Sequence, residues 1–164
     1  MEFRTAQIKD LELIVDIYNS TILSRMVTAD TEPVTVIEKL AWFNEHNEQT
    51  RPLWVITEQG EDIIGWVSFV DFYGRPAYNG TAEISIYLHS DCRGKGYGKL
   101  VLQHCIHQSK SLGIHRLLGF IFSHNLPSLQ LFKNAGFQEW GCLQEVALMD
   151  DKYYSLIIMG IKIT

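Results

Sequence analysis

A glycine-rich loop between a strand and a helix is the feature that most restricts how this sequence can fold. Residues 82–88 alternate as a half-buried strand does, and the apolar helical stripe that follows the loop ends near residue 112. The first turn of a helix exposes unpaired backbone N–H groups at the positive end of its dipole. Glycines in the loop leave these donors uncovered, so the pattern predicts a phosphate-binding turn. The glycines are Gly94, Gly96 and Gly98.

The charge around this loop favours a diphosphate ligand over a turn that merely links strand and helix. The whole chain has a net charge of -5, yet Arg93, Lys95 and Lys99 flank the glycines. A nucleoside-triphosphate loop would read G-x-x-x-x-G-K-S/T, which does not occur in the sequence. A dinucleotide loop would need glycine at position 99 and an acid after the next strand, and residues 117–123 contain none. The loop therefore predicts a different diphosphate-bearing cofactor.

The order of the elements predicts one domain over residues 1–164, an α/β protein with a mixed sheet and helices on both faces. Apolar residues recur at helical spacing from Leu11, and Asp10 is a suitable N-cap. A second helix is predicted from Val36 to His46. The residues expected on its inner face are Ile37, Leu40, Ala41 and Trp42.

The strands are predicted from short runs of apolar residues between turn formers. Residues 53–57 and 62–70 are expected to pair through a turn at 59–61, and residues 116–122 form a strongly apolar strand. Asn125 can cap a short helix that follows it. Two last strands are expected near 137–143 and 153–161.

Composition argues against several classes of partner. The sequence has no lysine- or arginine-rich run, so a nucleic-acid partner is not expected. No apolar run reaches the roughly 20 residues that span a bilayer, and residues 1–6 do not resemble a signal peptide, so a cytoplasmic location without membrane contact is expected. Three scattered cysteines imply no disulfide framework. His104 and His107 lie one helical turn apart but lack a third ligand at a sensible spacing, so no metal site is predicted.

Two motifs resemble those of the GNAT superfamily of N-acetyltransferases. Arg93, Gly96 and Gly98 match its R/Q-x-x-G-x-G/A signature, and a second matching block runs from Asn125 and Ser128 to Gly136-Phe137. The resemblance covers essentially the whole chain. More narrowly, the chain is similar to the phosphinothricin and methionine sulfoximine acetyltransferase group. The blocks that carry this likeness are Tyr18-Asn19, Asp30-Thr31-Glu32-Pro33, Gly65-Trp66, Arg75-x-Ala77-Tyr78 and Thr81-x-Glu83-x-Ser85-x-Tyr87.

The resemblance implies a GNAT-like fold, with a largely antiparallel sheet and a splayed pair of strands, and acetyl-CoA as cosubstrate. It implies direct transfer of the acetyl group to an amine, without an acyl-enzyme. The pantetheine arm would pair with the strand backbone, and main-chain amides of the loop would bind the pyrophosphate. The residues implied in cofactor binding are Ile86, Tyr87, Leu88, Arg93, Gly94, Lys95, Gly96, Tyr97, Gly98, Lys99, Asn125 and Ser128.

Glu83 is the candidate catalytic base. An ammonium has no lone pair, so it must lose a proton before it attacks a thioester. Strand alternation puts Glu83 on one face with Ser85 and Tyr87, and the resemblance places it beside the thioester; a solvent-facing glutamate is the structural alternative. Many GNAT proteins have a tyrosine where this chain has Phe132, which cannot donate a proton. A water, another residue such as Tyr87, or no acid at all would then serve the leaving thiolate.

Arg75 and Tyr78 are the candidate acceptor-binding residues. A guanidinium offers two parallel donors to a carboxylate, although a surface arginine on a loop is an equal alternative. Asp30 and Glu32 could frame the amine. The expected acceptor is a small amino-acid-like amine such as phosphinothricin, methionine sulfoximine or methionine sulfone. A polyamine, another amino acid, a protein N-terminus, or a non-catalytic acyl-CoA-binding role are the alternatives.

The resemblance also implies a homodimer. The apolar late strand from Leu156 to Ile161 could either complete the core or meet a partner chain.

Overall fold

A seven-stranded mixed sheet forms the centre of the computed structural model, which describes residues 1–58, 60 and 62–164. The strands lie in the order β1-β2-β3-β4-β5-β7-β6, and among the described residues only β4 and β5 pair in parallel. The predicted fold class is therefore confirmed. The strands are β1 (Glu2–Thr5), β2 (Leu53–Thr57), β3 (Ile63–Asp71), β4 (Thr81–Leu88), β5 (Arg116–Phe122), β6 (Gln138–Met149) and β7 (Lys152–Lys162).

Helices cover both faces of this sheet, as predicted. One face packs on the first two helices, with Leu11, Ile14 and Ile17 against Val55 and Trp66. The other face packs on the last two, and its cluster includes buried residues of β3, β5 and β7. The helices are α1 (Leu11–Ile22), α2 (Val36–Glu45), α3 (Tyr97–Ser109) and α4 (Leu126–Asn134).

The parallel pair β4–β5 separates after three residue pairs. Thr81, Ala82 and Glu83 lie opposite Arg116, Leu117 and Leu118. Beyond this point β4 continues to pair with β3 as far as Leu88, and β5 pairs with β7 as far as Phe122. The two strands therefore form a fork, as the predicted splay requires. Its closed end is at the pair Glu83–Leu118, and its open end lies where β4 leads into the glycine-rich loop.

The inner face predicted for α2 is wrong. Ile37 is 85% exposed and Leu40 is 41% exposed, and Ala41 is exposed as well. Of the predicted residues, Trp42 alone is partly buried, with its ring centroid 5.6 Å from that of Trp66. The helix packs on the α1 side of the sheet mainly through Trp42 and Phe43. The regular spacing of its apolar residues therefore does not indicate which of them are buried.

Asp10 precedes α1, but its carboxylate does not cap that helix. It accepts hydrogen bonds from the Arg4 guanidinium at 2.7 and 2.9 Å and from the Gln7 N–H at 2.7 Å. Asp10 is the last residue of a short 3-10 turn, Ile8–Asp10, which leads directly into α1. The buried Asp10 therefore joins β1 to the start of the helix, because its carboxylate is bound by the partly exposed Arg4 guanidinium.

Three further predictions meet different outcomes. The predicted turn at 59–61 falls partly on residues 59 and 61, which lie outside the described residues. Strand β6 extends to Met149, well past the predicted end near residue 143. The longest described helix has 13 residues, and no helix in this part of the chain has the length and apolar character needed to cross a membrane.

Candidate active site

A cleft of about 580 Å³ occupies the fork between β4 and β5. Its walls come from both strands, from the start of α3 and of α4, and from the loop that follows α1. Ten of the twelve predicted cofactor residues line it: Ile86, Tyr87, Leu88, Arg93, Gly94, Gly96, Gly98, Lys99, Asn125 and Ser128. Lys95 and Tyr97 are not among the lining residues, and the Tyr97 hydroxyl instead donates to Glu58 Oε1 at 2.5 Å.

The three glycines of the loop have two different roles in the structure. Gly94 and Gly96 are left-handed, with φ of 73° and 85°, and a Cβ at either position would meet no atom within 4 Å. Gly96 is the N-cap of α3, and no described side chain caps that helix. A Cβ at Gly98 would instead lie 3.2 Å from Leu131 of α4. The first two therefore present an open turn with free donors, which suits a diphosphate, and the third allows two helices to approach.

Arg93 holds this loop against the rest of the site. Its Nε donates to the Leu88 carbonyl at 3.1 Å, and its Nη2 donates to Ser20 Oγ at 3.2 Å. The guanidinium thus ties the end of β4 to α1. Its charge stays next to the turn without an acidic partner among the described residues.

Asn125 is 6% exposed and joins α4 to the loop after α1. Its Oδ1 accepts from the Ser128 N–H at 3.2 Å and so caps α4, as predicted from the sequence. Its Nδ2 donates to the Met26 carbonyl at 2.9 Å. An amide has four hydrogen-bonding positions, so capacity is left for a ligand in the cleft.

Glu83 lies at the closed end of the fork. It is opposite Leu118 of β5 on one side and Val70 of β3 on the other. Its side chain is half-buried, and burial raises its pKa above the ordinary glutamate value of 4.5. Glu83 is not itself among the residues that line the cleft, whereas Ile84 next to it is. A carboxylate with a raised pKa beside the end of a cleft is suited to accepting a proton.

Phe132 contributes an apolar surface to the wall of the cleft. It is 6% exposed, and its ring centroid lies 4.7 Å from that of Phe137. The ring fills the space beside Gly119, where a Cβ would come within 2.4 Å of Cε1. Sequence reasoning missed Gly119, although a glycine inside an apolar strand is a signal of such a close approach.

Nothing in the sequence indicated a cluster of polar side chains formed by Tyr18, Thr28 and Asp30. The Tyr18 hydroxyl donates to Asp30 Oδ2 and lies 2.5 Å from Thr28 Oγ1. The Tyr18 ring packs against Tyr87 with centroids 5.1 Å apart, and the Tyr87 ring stacks on Trp66 with centroids 4.4 Å apart. Burial raises the pKa of Tyr18 and of Tyr87 above the usual range, with smaller contributions from Asp30 and from Tyr18 respectively. No spacing in the sequence connects these residues, which belong to α1, a loop and β4.

Arg75 and Tyr78 lie on the loop between β3 and β4. Arg75 is exposed, forms no side-chain hydrogen bond or ion pair with a described residue, and does not line the cleft. Tyr78 packs edge-on against Phe72 at 5.4 Å, and Phe72 lies 6.5 Å from Phe120, which does line the cleft. Tyr78 therefore contacts the site only indirectly, through the rings of Phe72 and Phe120. Arg75 is an exposed residue of the same loop, outside the cleft lining.

The loop itself is held by Arg51. This buried guanidinium donates to Asp71 Oδ1 at 2.6 Å and to the Asn79 carbonyl at 2.7 Å. Both ends of the loop are therefore fixed to one side chain. Among the described residues no group of three His, Cys, Asp or Glu side chains could hold a metal ion.

Known proteins resemble this chain along nearly its whole length. A model of the acetyltransferase (GNAT) family matches residues 14–137. "Putative phosphinothricin acetyltransferase YwnH" of Bacillus subtilis (strain 168) is 53% identical, over 98% of each chain. An L-methionine sulfoximine/L-methionine sulfone acetyltransferase of Pseudomonas aeruginosa is 29% identical, over 98% of this chain and 93% of that one. A Sinorhizobium meliloti phosphinothricin acetyltransferase, solved in complex with acetyl-CoA, superposes with a TM-score of 0.91 at 25% identity, covering 99% of this chain and 88% of that one.

Proposed function

The chain belongs to the GNAT family of acetyltransferases and is an acetyl-CoA-dependent N-acetyltransferase, and we propose that it acetylates the amine of a small amino-acid-like acceptor. The observation that carries this proposal is the forked cleft. It has an open, uncapped turn at one end, and a half-buried carboxylate, that of Glu83, lies beside its other end. An anionic cofactor can enter at the turn while its reactive end meets a proton acceptor.

The cofactor would be held mainly by backbone groups. Main-chain amides from Gly94 to Lys99 would bind the pyrophosphate, assisted by the charge of Arg93. The backbone of Ile86, Tyr87 and Leu88 no longer pairs with β5, so its free edge can accept the pantetheine as an added strand. Asn125 and Ser128 would contact the pantetheine at the start of α4. When bound, acetyl-CoA supplies an acetyl thioester activated for attack by an amine.

Glu83 would act as the general base. Its carboxylate accepts a proton from the acceptor nitrogen, directly or through a water, and so exposes the lone pair that attacks. Burial in the fork favours the protonated form, which raises the basicity of this group above that of a surface glutamate. Phe132 has no proton to donate and would pack against the cofactor.

Arg75 and Tyr78 would recognise the rest of the acceptor. The relatives named for methionine sulfoximine, methionine sulfone and phosphinothricin act on amino-acid-like molecules that carry a carboxylate. The exposed Arg75 guanidinium, which has no side-chain partner among the described residues, is suited to that group and unfavourable for a polyamine.

The acceptor class can be tested with a panel of amines and two enzymes, the wild type and Arg75→Gln. We expect amino acids and their sulfoximine and sulfone analogues to be acetylated in preference to polyamines, as measured by thiol release. Arg75→Gln should raise KM about tenfold for acceptors with a carboxylate and leave KM unchanged for amines without one. Arg116→Gln, on the far end of β5, is the matched control. A preference for polyamines, or an equal rise for both classes, would contradict the assignment.

A homodimer is part of the same proposal. Ile157 and Met159 of β7 are buried in the core, so this strand is not the one that would meet a partner chain. Exposed apolar residues lie instead on the neighbouring edge strand β6, which would supply the partner surface: Trp140, Leu143, Val146 and Leu148. Sedimentation of the wild type as a monomer would rule this out.

A further inference from the structure

The segment that follows α1 forms a wall of the cleft without belonging to the sheet. Its wall residues, Ser24, Met26 and Val27, line the cleft beside Leu88 and Arg93, where β4 leads into the glycine-rich loop. They lie outside the helices and strands given above, in a run of turns and bends. Such a segment has no ladder of main-chain hydrogen bonds to hold it, so its position depends on other contacts.

Two side chains between β5 and α4 hold this wall by its carbonyl groups. His124 Nε2 lies 2.8 Å from the Arg25 carbonyl oxygen, and Asn125 Nδ2 donates to the Met26 carbonyl at 2.9 Å. A carbonyl only accepts, so His124 carries its proton on Nε2 and is the donor. Consecutive residues after β5 therefore bind consecutive residues after α1, which ties the wall to the β5 side of the fork.

The Arg25 side chain fixes the same wall from a third direction. Its guanidinium pairs with both oxygens of Asp150, Nε with Oδ2 at 2.8 Å and Nη2 with Oδ1 at 3.0 Å. Its Nη1 donates to the Thr31 carbonyl at 2.8 Å and to the Ile22 carbonyl at 3.3 Å. Asp150 lies in the turn between β6 and β7, far from Arg25 in the chain. Because the pair is bidentate, it fixes the orientation of both groups, as a single-point surface ion pair does not.

The backbone at both ends of this ion pair has a conformation that residues with side chains rarely adopt. The angle φ is 54° at Arg25 and 49° at Asp150, in the left-handed region that favours glycine. Glycine at either position would suit the backbone but would remove the ion pair. Such conformations persist where the surrounding contacts determine them. Here those contacts are the ion pair itself and the hydrogen bond from His124.

The wall is connected to the proposed cofactor residues through Asn125. One proton of the Asn125 amide is used by the Met26 carbonyl, while its Oδ1 caps α4 through the Ser128 N–H. Both Asn125 and Ser128 line the cleft. A shift of the wall would therefore change the hydrogen bonds of Asn125 and the space beside it.

We propose that Asp150 is a positioning residue for acetyl-CoA binding, which acts through Arg25 on the wall formed by Ser24, Met26 and Val27. This rests on the cofactor placement proposed above, in which the pantetheine contacts the start of α4 across from the wall. Neither Asp150 nor Arg25 lines the cleft, so both act through the wall. Ordering the wall before the cofactor arrives favours binding, because less freedom is lost when the complex forms.

The test compares the acetyl-CoA Kd of Asp150→Asn with that of Asp151→Asn, an exposed aspartate in the same turn. Both changes remove one negative charge, and asparagine tolerates the left-handed backbone at either position. By charge alone, each change should favour the binding of an anionic cofactor. We expect Asp150→Asn instead to raise Kd about fivefold, and Asp151→Asn to keep Kd at or below the wild-type value. The sign of the change therefore separates positioning from charge.

Two further measurements identify the ion pair as the cause. The difference between the two variants should shrink in about 1 M salt, because the Asp150 side chain is 63% exposed and the pair is screened. Arg25→Gln should raise Kd about tenfold, with kcat at saturating acetyl-CoA close to that of the wild type. It also loses the bonds to two carbonyl groups, so its effect is the larger. Asp150→Asn should add nothing in the Arg25→Gln background.

Equal Kd values in Asp150→Asn and Asp151→Asn would overturn the proposal, as would a rise in Kd accompanied by an equal loss of kcat. Asn125→Ala, measured beside them, separates this failure from a failure of the cofactor placement. A raised Kd in Asn125→Ala with none in Asp150→Asn removes the positioning role alone. An unchanged Kd in both removes the cofactor placement as well.

Discussion

The open end of the cleft is built from one continuous stretch of backbone, whereas the closed end is built from side chains of distant segments. At the open end, β4 runs into the turn at Gly94 and Gly96 and then into α3, all within some twenty residues. At the closed end, Glu83 lies opposite Leu118 of β5, and Tyr87 on the same strand packs against Tyr18 of α1 with ring centroids 5.1 Å apart. The first end presents repeated main-chain donors, and the second presents single chemical groups.

This difference predicts how each end responds to substitution. A site made of several backbone N–H groups loses affinity by degrees, because no side chain supplies the donors. A site whose chemistry depends on one carboxylate loses its rate when that group is removed. Substitutions at the closed end should therefore reduce kcat, and those at the open end should weaken acetyl-CoA binding.

The largest expected effect is that of Glu83→Gln. We expect kcat to fall by about 10² to 10⁴ at neutral pH, because the amide cannot accept a proton, while acetyl-CoA Kd is unchanged. In the wild type, kcat/KM should rise with pH through a step above 4.5, since Glu83 is protonated and inactive below its raised pKa. The variant should lack that step.

Glu12→Gln, an exposed glutamate on α1, is the matched control for this measurement. An unchanged kcat in Glu83→Gln would remove the contrast between the two ends, because the closed end would then contain no essential group. A fall in acetyl-CoA affinity of similar size would do so as well.

The smaller expected effect is that of Gly96→Ala at the open end. Its φ of 85° costs a side-chain residue about 1 to 2 kcal/mol, with no clash because the space is empty. If the turn shifts to relieve this strain, acetyl-CoA Kd should rise about tenfold, with kcat at saturation close to that of the wild type. Calorimetric titration and a saturation series measure the two quantities.

Gly113→Ala is the control because it carries the same strain away from the cleft. Gly113 follows α3 at the other end, has φ of 71°, and also has no atom within 4 Å of an added Cβ. The two variants should lose similar Tm, and only Gly96→Ala should weaken acetyl-CoA binding. Equal Kd values in both would show that the turn does not contact the cofactor.

The two ends also differ in how far they could be predicted. The strand, the glycine turn and the cap at Asn125 follow from local rules that operate within a few residues, and the structure has all three. The hydrogen bonds of Tyr18 with Thr28 and Asp30 could not be predicted, because nothing local relates a helix tyrosine to a loop aspartate. The inner face of α2 failed for a related reason: its apolar residues are regularly spaced, but few partners lie over them.

By itself, the sequence determined the mixed sheet, the uncapped glycine turn and the position of Glu83 on its strand, since each depends on neighbours in the chain. Only the tertiary structure decided where β4 and β5 part, which glycine faces open space, and which hydroxyls meet beside the cleft. These depend on contacts between segments, such as the Phe132 ring against Gly119, whose geometry is set when all the elements pack together.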